Sequence, residues 1–147
     1  MPTQEIIRLK LSDLIGHEET QPDKVKTHAA KMLRRGTQKR PVVVHYLDDE
    51  RKYLIIDGHH RVAALKELGY QYVIANRIDY LSSEIKVKSW QGAKEWDKKD
   101  IIEQALRGNL RGPKTTKHVI MMGGKEVPFH KNDEIEPVIN YPLEKLK

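Results

Sequence analysis

Ile55-Ile56-Asp57-Gly58-His59-His60-Arg61-Val62-Ala63-Ala64-Leu65 is the stretch on which both fold and chemistry turn. Its first residues end a β-branched run and Asp57-Gly58 reads as a turn. From about His59 the apolar residues Val62, Ala63, Ala64, Leu65 and Leu68 describe a helix, closed by Gly69. A strand thus delivers a glycine turn directly into a helix. The first amides of a helix have no intrahelical acceptor, and the macrodipole adds positive potential there. Phosphate is the natural guest of such an end. His59, His60 and Arg61 add side-chain donors at the same place, and Arg61 carries a planar fork suited to phosphate oxygens. Asp57 would repel phosphate unless a cation lies between them. That points to Mg²⁺, whose usual site is one or two carboxylates plus phosphate oxygens. Two other readings stay open. Asp57 could be a plain helix cap beside two surface histidines, or the His59-His60 pair could belong to a Zn²⁺ site, although no third ligand is evident.

Upstream, Ile6 to Leu11 predicts a strand, and Ser12 to Gly16 a turn leading into His17-Glu18-Glu19-Thr20. Pro22-Asp23 suits a helix start, with Val25, Ala29, Met32 and Leu33 at helical spacing and Gly36 as the stop. The runs 41–46 and 53–56 read as a hairpin around the polar loop 47–52. Thr37-Gln38-Lys39-Arg40 reads as a solvated loop within reach of a nucleotide. Downstream, strands are expected at 72–80 and 85–90, a helix from Lys98 to Arg107 and a late strand from Lys117 to Met122. Pro128, Pro137 and Pro142 mark a coil-rich closing segment. The sum is an α+β fold: a mixed sheet with helices in a single compact domain over 1–147, with about 81–147 forming a smaller lobe on the substrate side.

A chain of 147 residues suffices for one such core. Without cysteine it has no disulfide, no thiolate metal site and no cysteine nucleophile. No apolar run approaches the ~20 residues that span a bilayer, and the first residues do not form a signal peptide, so a cytoplasmic location is expected. The net charge of +6 arises from 27 Lys and Arg against 21 Asp and Glu, spread along the chain. One Phe, two Trp and six Tyr offer few stacking platforms, so nothing here points to nucleic acid as a partner.

With the upstream His17-Glu18 and Arg40-Pro41-Val42-Val43-Val44, the turn and its helix resemble the ParB/sulfiredoxin-like nucleotide-binding superfamily. Sulfiredoxins carry a Gly-Gly-Cys-His-Arg turn, and this chain has His59 where their cysteine would stand, so their chemistry is excluded. Chromosome-partitioning ParB proteins carry a Gly-Glu-Arg-Arg type of turn and a following helix-turn-helix, and this sequence shows neither. The free L-serine kinase branch is the nearer match. Four of its blocks occur in order: His17-Glu18, Asp57 to Arg61, Ser89-Trp90, and Pro113-Lys114-Thr115-Thr116-Lys117-His118.

The resemblance implies phosphorylation of the serine hydroxyl, giving O-phospho-L-serine, with ADP or ATP as the nucleotide co-substrate and Mg²⁺. It makes Glu18 the catalytic base, with Glu19 as the rival within the same dipeptide. Asp57 is then catalytic and the metal ligand. Gly58, His59, His60 and Arg61 bind the nucleotide phosphates, and Trp90, Lys114, Thr115, Thr116 and His118 bind the substrate. Read without the resemblance, Trp90 serves equally as a core aromatic and the 113–118 segment as a surface turn. The alternative function from another class is a non-catalytic or CTP-hydrolysing ParB-like switch or DNA-partition module.

Overall fold

Val42-Val43-Val44 and Leu54-Ile55-Ile56 are apolar at every position, the pattern of strands covered on both faces rather than one. The computed structural model, which describes residues 2–89, 95–112 and 116–147, places them at the middle of a five-stranded sheet. Its strands are β1 (Gln4–Lys10), β2 (Leu14–Ile15), β4 (Val42–Leu47), β5 (Lys52–Asp57) and β6 (Tyr72–Ile78), in the order β1-β6-β4-β5-β2. β4 and β5 form the expected antiparallel hairpin, β4 runs parallel to β6, and β2 parallel to β5.

Alternate side chains of the central strands feed two cores. Val42, Val44 and Ile55 face α1 (Pro22–Arg35) and α2 (His59–Glu67), together with Val25, Met32, Val62 and Leu65. Val43, Leu54 and Ile56 face the opposite way. There they meet α3 (Lys98–Leu106) and a second sheet of β7 (Ile85–Ser89), β8 (Thr116–Met122) and β9 (Lys125–Pro128), through Ile85, Val87, Ile101 and Ile120. Burying apolar area at about 25 cal/mol per Å² is what holds the second sheet against the first.

The α+β class is as expected from the sequence, and the closing segment, irregular over 132–140, is nonetheless packed into the fold. Phe129, Ile135, Leu143 and Leu146 are buried, β9 completes the second sheet, and β10 (Tyr141–Pro142) pairs with β3 (Thr37–Gln38). The prolines that suggested coil sit at the end of β9, in the 3-10-flanked turns and in a two-residue strand, positions where a missing N–H costs little. Nor is 37–40 a solvated loop: buried Gln38 bonds both the N–H and the carbonyl of Ile74, at 2.9 and 2.8 Å. Among the described residues no helix is long and apolar enough to cross a membrane.

Candidate active site

β5 ends at Asp57, and α2 begins one residue later. Gly58 between them has φ +107°, and a Cβ there would stand 2.6 Å from Val42 Cγ1, so the turn demands glycine for both conformation and space. The first helical bond is Val62 N–H to Gly58 O, at 3.0 Å, which leaves the amides of His59, His60 and Arg61 ahead of any helical acceptor.

The two histidines of the turn look backward rather than outward. His59 Nε2 accepts the backbone N–H of His17, and His60 Nε2 accepts that of Gln21, both at 3.0 Å. Each ring therefore carries its hydrogen on Nδ1, and together they fasten the loop between β2 and α1 onto the amino end of α2. Gly16 makes this approach possible: a Cβ there would lie 3.0 Å from His59 Cδ2. On its other side the loop is held by Arg111, whose N–H donates to His17 O (2.8 Å) and whose carbonyl accepts from Glu19 N–H (2.7 Å). The Arg111 guanidinium lies over the Trp96 ring, 4.1 Å from its centroid.

This clamp turns Glu18 inward and leaves Glu19 exposed. The Glu18 side chain is 12% exposed, and its Oε2 is hydrogen-bonded to the hydroxyl of Thr116 on β8. Glu18, Asp57, Gly58, Lys117 and His130 line one cleft of about 290 Å³, with the start of α2 as its floor. Residues up to 112 apart in the chain thus share a single space.

Arg61 is committed to the protein. Its Nη1 donates to Pro41 O at 2.8 Å; its Nη2 donates to Glu136 Oε1 at 2.7 Å and reaches Asp57 Oδ2 at 3.4 Å. Burial pushes the Glu136 carboxyl up to about 9, Arg61 opposing and the Asp57 charge reinforcing the rise. Glu136 is consequently protonated at neutral pH. Its Oε2 is buried without a hydrogen-bond partner, on the side of the carboxyl away from the Arg61 contact. Burial disfavours the charge of Asp57 as well, but the Glu136 hydrogen bond and Arg61 outweigh it and hold that carboxyl below its usual range. Desolvation also keeps His59 neutral, lowers His118 to about 3 and, with the Arg61 charge second, lowers His28 to about 4. The cleft therefore presents a carboxylate at Asp57, neutral imidazoles and helix amides.

Residues 2–103 match the model of the ParB N-terminal domain. The chain belongs to that family. The chain is 35% identical over 107 residues to an ATP-dependent L-serine kinase of Staphylothermus marinus, an alignment covering 73% of this chain and 42% of that protein. It is 27% identical over 112 residues to the ADP-dependent L-serine kinase SerK of Thermococcus kodakarensis, covering 75% and 46%. The chain thus spans less than half the length of the curated relatives it matches. A solved structure of a free serine kinase in complex with AMP superposes with a TM-score of 0.79 at 16% identity, over 97% of this chain and 93% of that one. At that identity the superposition speaks for a shared fold.

Of the residues singled out in the sequence, Glu18, its rival Glu19, Asp57, Gly58, His59, His60, Arg61, Thr116 and His118 all line the cleft. Several are used otherwise than foreseen. Arg61 is tied to carboxylates and a carbonyl, the Nε2 atoms of His59 and His60 to the loop, the Thr116 hydroxyl to Glu18 and His17, and His118 Nε2 to Tyr80 Oη at 3.0 Å. Trp90, Lys114 and Thr115 lie outside the described residues. The sequence reading had no grounds for Glu136, His28 or His130, which arrive from α1 and the closing segment. An acidic residue set between Ile135 and Pro137 was the only local sign of the first.

Proposed function

We propose that this chain phosphorylates the hydroxyl of free L-serine, using ATP or ADP, to give O-phospho-L-serine. The observation that carries the reading is Glu18 held inward over the amino end of α2, in the same cleft as Asp57. The names of the curated relatives support it, and their two nucleotides leave both donors in play. Phosphoryl transfer needs positioning and charge neutralisation more than covalent help, together with an acceptor for the hydroxyl proton. In this reading the nucleotide phosphates lie against the amides of Gly58, His59, His60 and Arg61, with the Lys117 charge nearby. Glu18 takes the serine proton, and the partly buried carboxylate keeps it out of bulk water.

The donors at Asp57 fit a magnesium site of the common kind. Among the described residues no group of three carboxylates or histidines could hold a metal alone, but Mg²⁺ ordinarily relies on one or two carboxylates and the phosphates themselves. Bound there, the ion would neutralise phosphate charge. Arg61 and Glu136 aim the Asp57 carboxylate and keep it ionised. Thr116 and His118 stand on the proposed substrate side of the cleft.

The experiment is to incubate the protein with L-serine, Mg²⁺ and either ATP or ADP and to detect phosphoserine by mass. Serine-dependent phosphoserine is expected with at least one donor. Nucleotide hydrolysis indifferent to serine, or specific DNA binding, would instead favour a ParB-like switch.

A further inference from the structure

His17 and Thr116 have no assigned role beyond packing and substrate contact, yet hydrogen counting at these side chains gives one. His17 is fully buried. Its Nδ1 lies 2.9 Å from the carbonyl of Ile55, which only accepts, so Nδ1 carries a hydrogen. Its Nε2 lies 3.0 Å from Thr116 Oγ1, and Thr116 Oγ1 is in turn hydrogen-bonded to Glu18 Oε2. These two contacts in series need two hydrogens, and the hydroxyl supplies one. The second must come from Glu18 or from His17. With Glu18 ionised and His17 neutral, one contact lacks its hydrogen. With one proton added, both are complete, whichever end holds it.

We infer that Glu18, Thr116 and His17 form a proton relay in which the hydrogen taken up by Glu18 is passed through the Thr116 hydroxyl to Nε2 of His17. The inference rests on the reading of Glu18 as the base. The substrate O–H breaks and an O–H forms on Glu18. That bond then breaks as Oγ1 gains its hydrogen, while Oγ1 gives its own to Nε2. The net result is a restored carboxylate and an imidazolium, 3.5 Å apart between Oε2 and Nε2. Proton uptake by Glu18 is favoured because it completes a hydrogen bond that the ionised cluster lacks. His17 is therefore a positioning residue acting through Thr116, not a group that meets substrate.

The ring is surrounded by few other charges. His59 of α2 stands edge-on with ring centroids 4.6 Å apart, and His118 of β8 stands edge-on at 5.5 Å. Both are kept neutral by burial. Asp57 follows Ile55 by two residues on β5, and Arg111 meets the His17 carbonyl through its backbone. Glu18 is thus the carboxyl group in closest reach of Nε2.

Two readouts test the relay. The first needs no turnover: the ring ¹⁵N signals of His17 and the carboxyl ¹³C signal of Glu18 are followed against pH. The wild type should show one shared transition at both sites, and Thr116→Val should separate it into two, because interacting groups titrate as a pair. Separate transitions in the wild type, or a shared one that survives in Thr116→Val, would overturn the relay. The second readout is kinetic. Thr116→Val should lower kcat about 10-fold or more with serine KM little changed, and Thr116→Ser, which returns the hydroxyl, should recover most of the loss. An undiminished kcat in Thr116→Val would also overturn it. Should the wild type form no phosphoserine, the kinase reading fails while the paired titration still decides the relay. Should Thr116→Val not fold, the shared or separate transitions of the wild type decide it.

Discussion

Removing the Arg61 guanidinium should be felt first in stability rather than in ligand binding. Arg61→Ala deletes the donors to Pro41 O, Glu136 Oε1 and Asp57 Oδ2 at once, from a side chain only 16% exposed. Breaking a buried ion pair by taking away one partner costs about 3–5 kcal/mol, since the other charge is left uncompensated. Here Glu136 can stay protonated and so remain uncharged, which places the cost near the lower end, about 3 kcal/mol. With a urea m-value of about 2 kcal/mol/M for a domain of this size, the unfolding midpoint should drop by about 1.5 M. Arg61→Lys should recover little, because an ammonium cannot hold a backbone carbonyl and two carboxyls in one plane. A midpoint within about 0.3 M of wild type, equivalent to well under 1 kcal/mol, alongside a tenfold weaker nucleotide affinity, would refute this reasoning and return Arg61 to the phosphates.

Stability should peak near pH 6.5. Below it, His28 and His118 remain neutral in the fold to about 4 and about 3 but take up protons once unfolded, so stability falls as pH falls from 6.5. Above it, Glu136 holds until about 9 a proton that the unfolded chain releases above 4.5, so stability is lost as pH rises, by up to about 1.4 kcal/mol per unit. Denaturation midpoints across pH check both limbs; Glu136→Gln should flatten the alkaline one, and a wild-type curve still climbing at pH 8 contradicts the assignment. Gly58→Ala combines a φ of +107° with a Cβ 2.6 Å from Val42 Cγ1, so it should destabilise by more than about 2 kcal/mol and weaken nucleotide binding. Normal thermal unfolding and nucleotide affinity in that variant would show that the turn tolerates a side chain.

The strand-turn-helix at 55–65 was legible because each of its signals is local. The β-branched run, the glycine and the apolar spacing all lie within one short stretch. Pro22 and Gly36 likewise framed α1 correctly. What the sequence could not show is long-range pairing: two-residue strands such as β2, β3 and β10 carry no periodicity and exist because partners 39 to 105 residues away share their hydrogen bonds. The same limit explains the site. That Glu18 and Thr116 meet, that the histidines of the turn point at the loop before α1, and that Glu136 returns to Arg61 are consequences of packing elements far apart in the chain. Composition carries no sign of which charges the fold will bury. Burial changes their chemistry, and it is set by the fold as a whole.

Glu18→Gln tests the central claim most directly. Glutamine keeps the length of the side chain and can still hydrogen-bond to Thr116, so the variant should fold and bind nucleotide and serine as the wild type does. Phosphoserine formation should fall by roughly 10²–10⁴-fold, in kcat rather than KM, the usual contribution of general acid–base catalysis. Glu19→Gln, altering the exposed neighbour, should form phosphoserine at close to the wild-type rate. Wild-type turnover in Glu18→Gln, or a collapse confined to Glu19→Gln, would contradict the account.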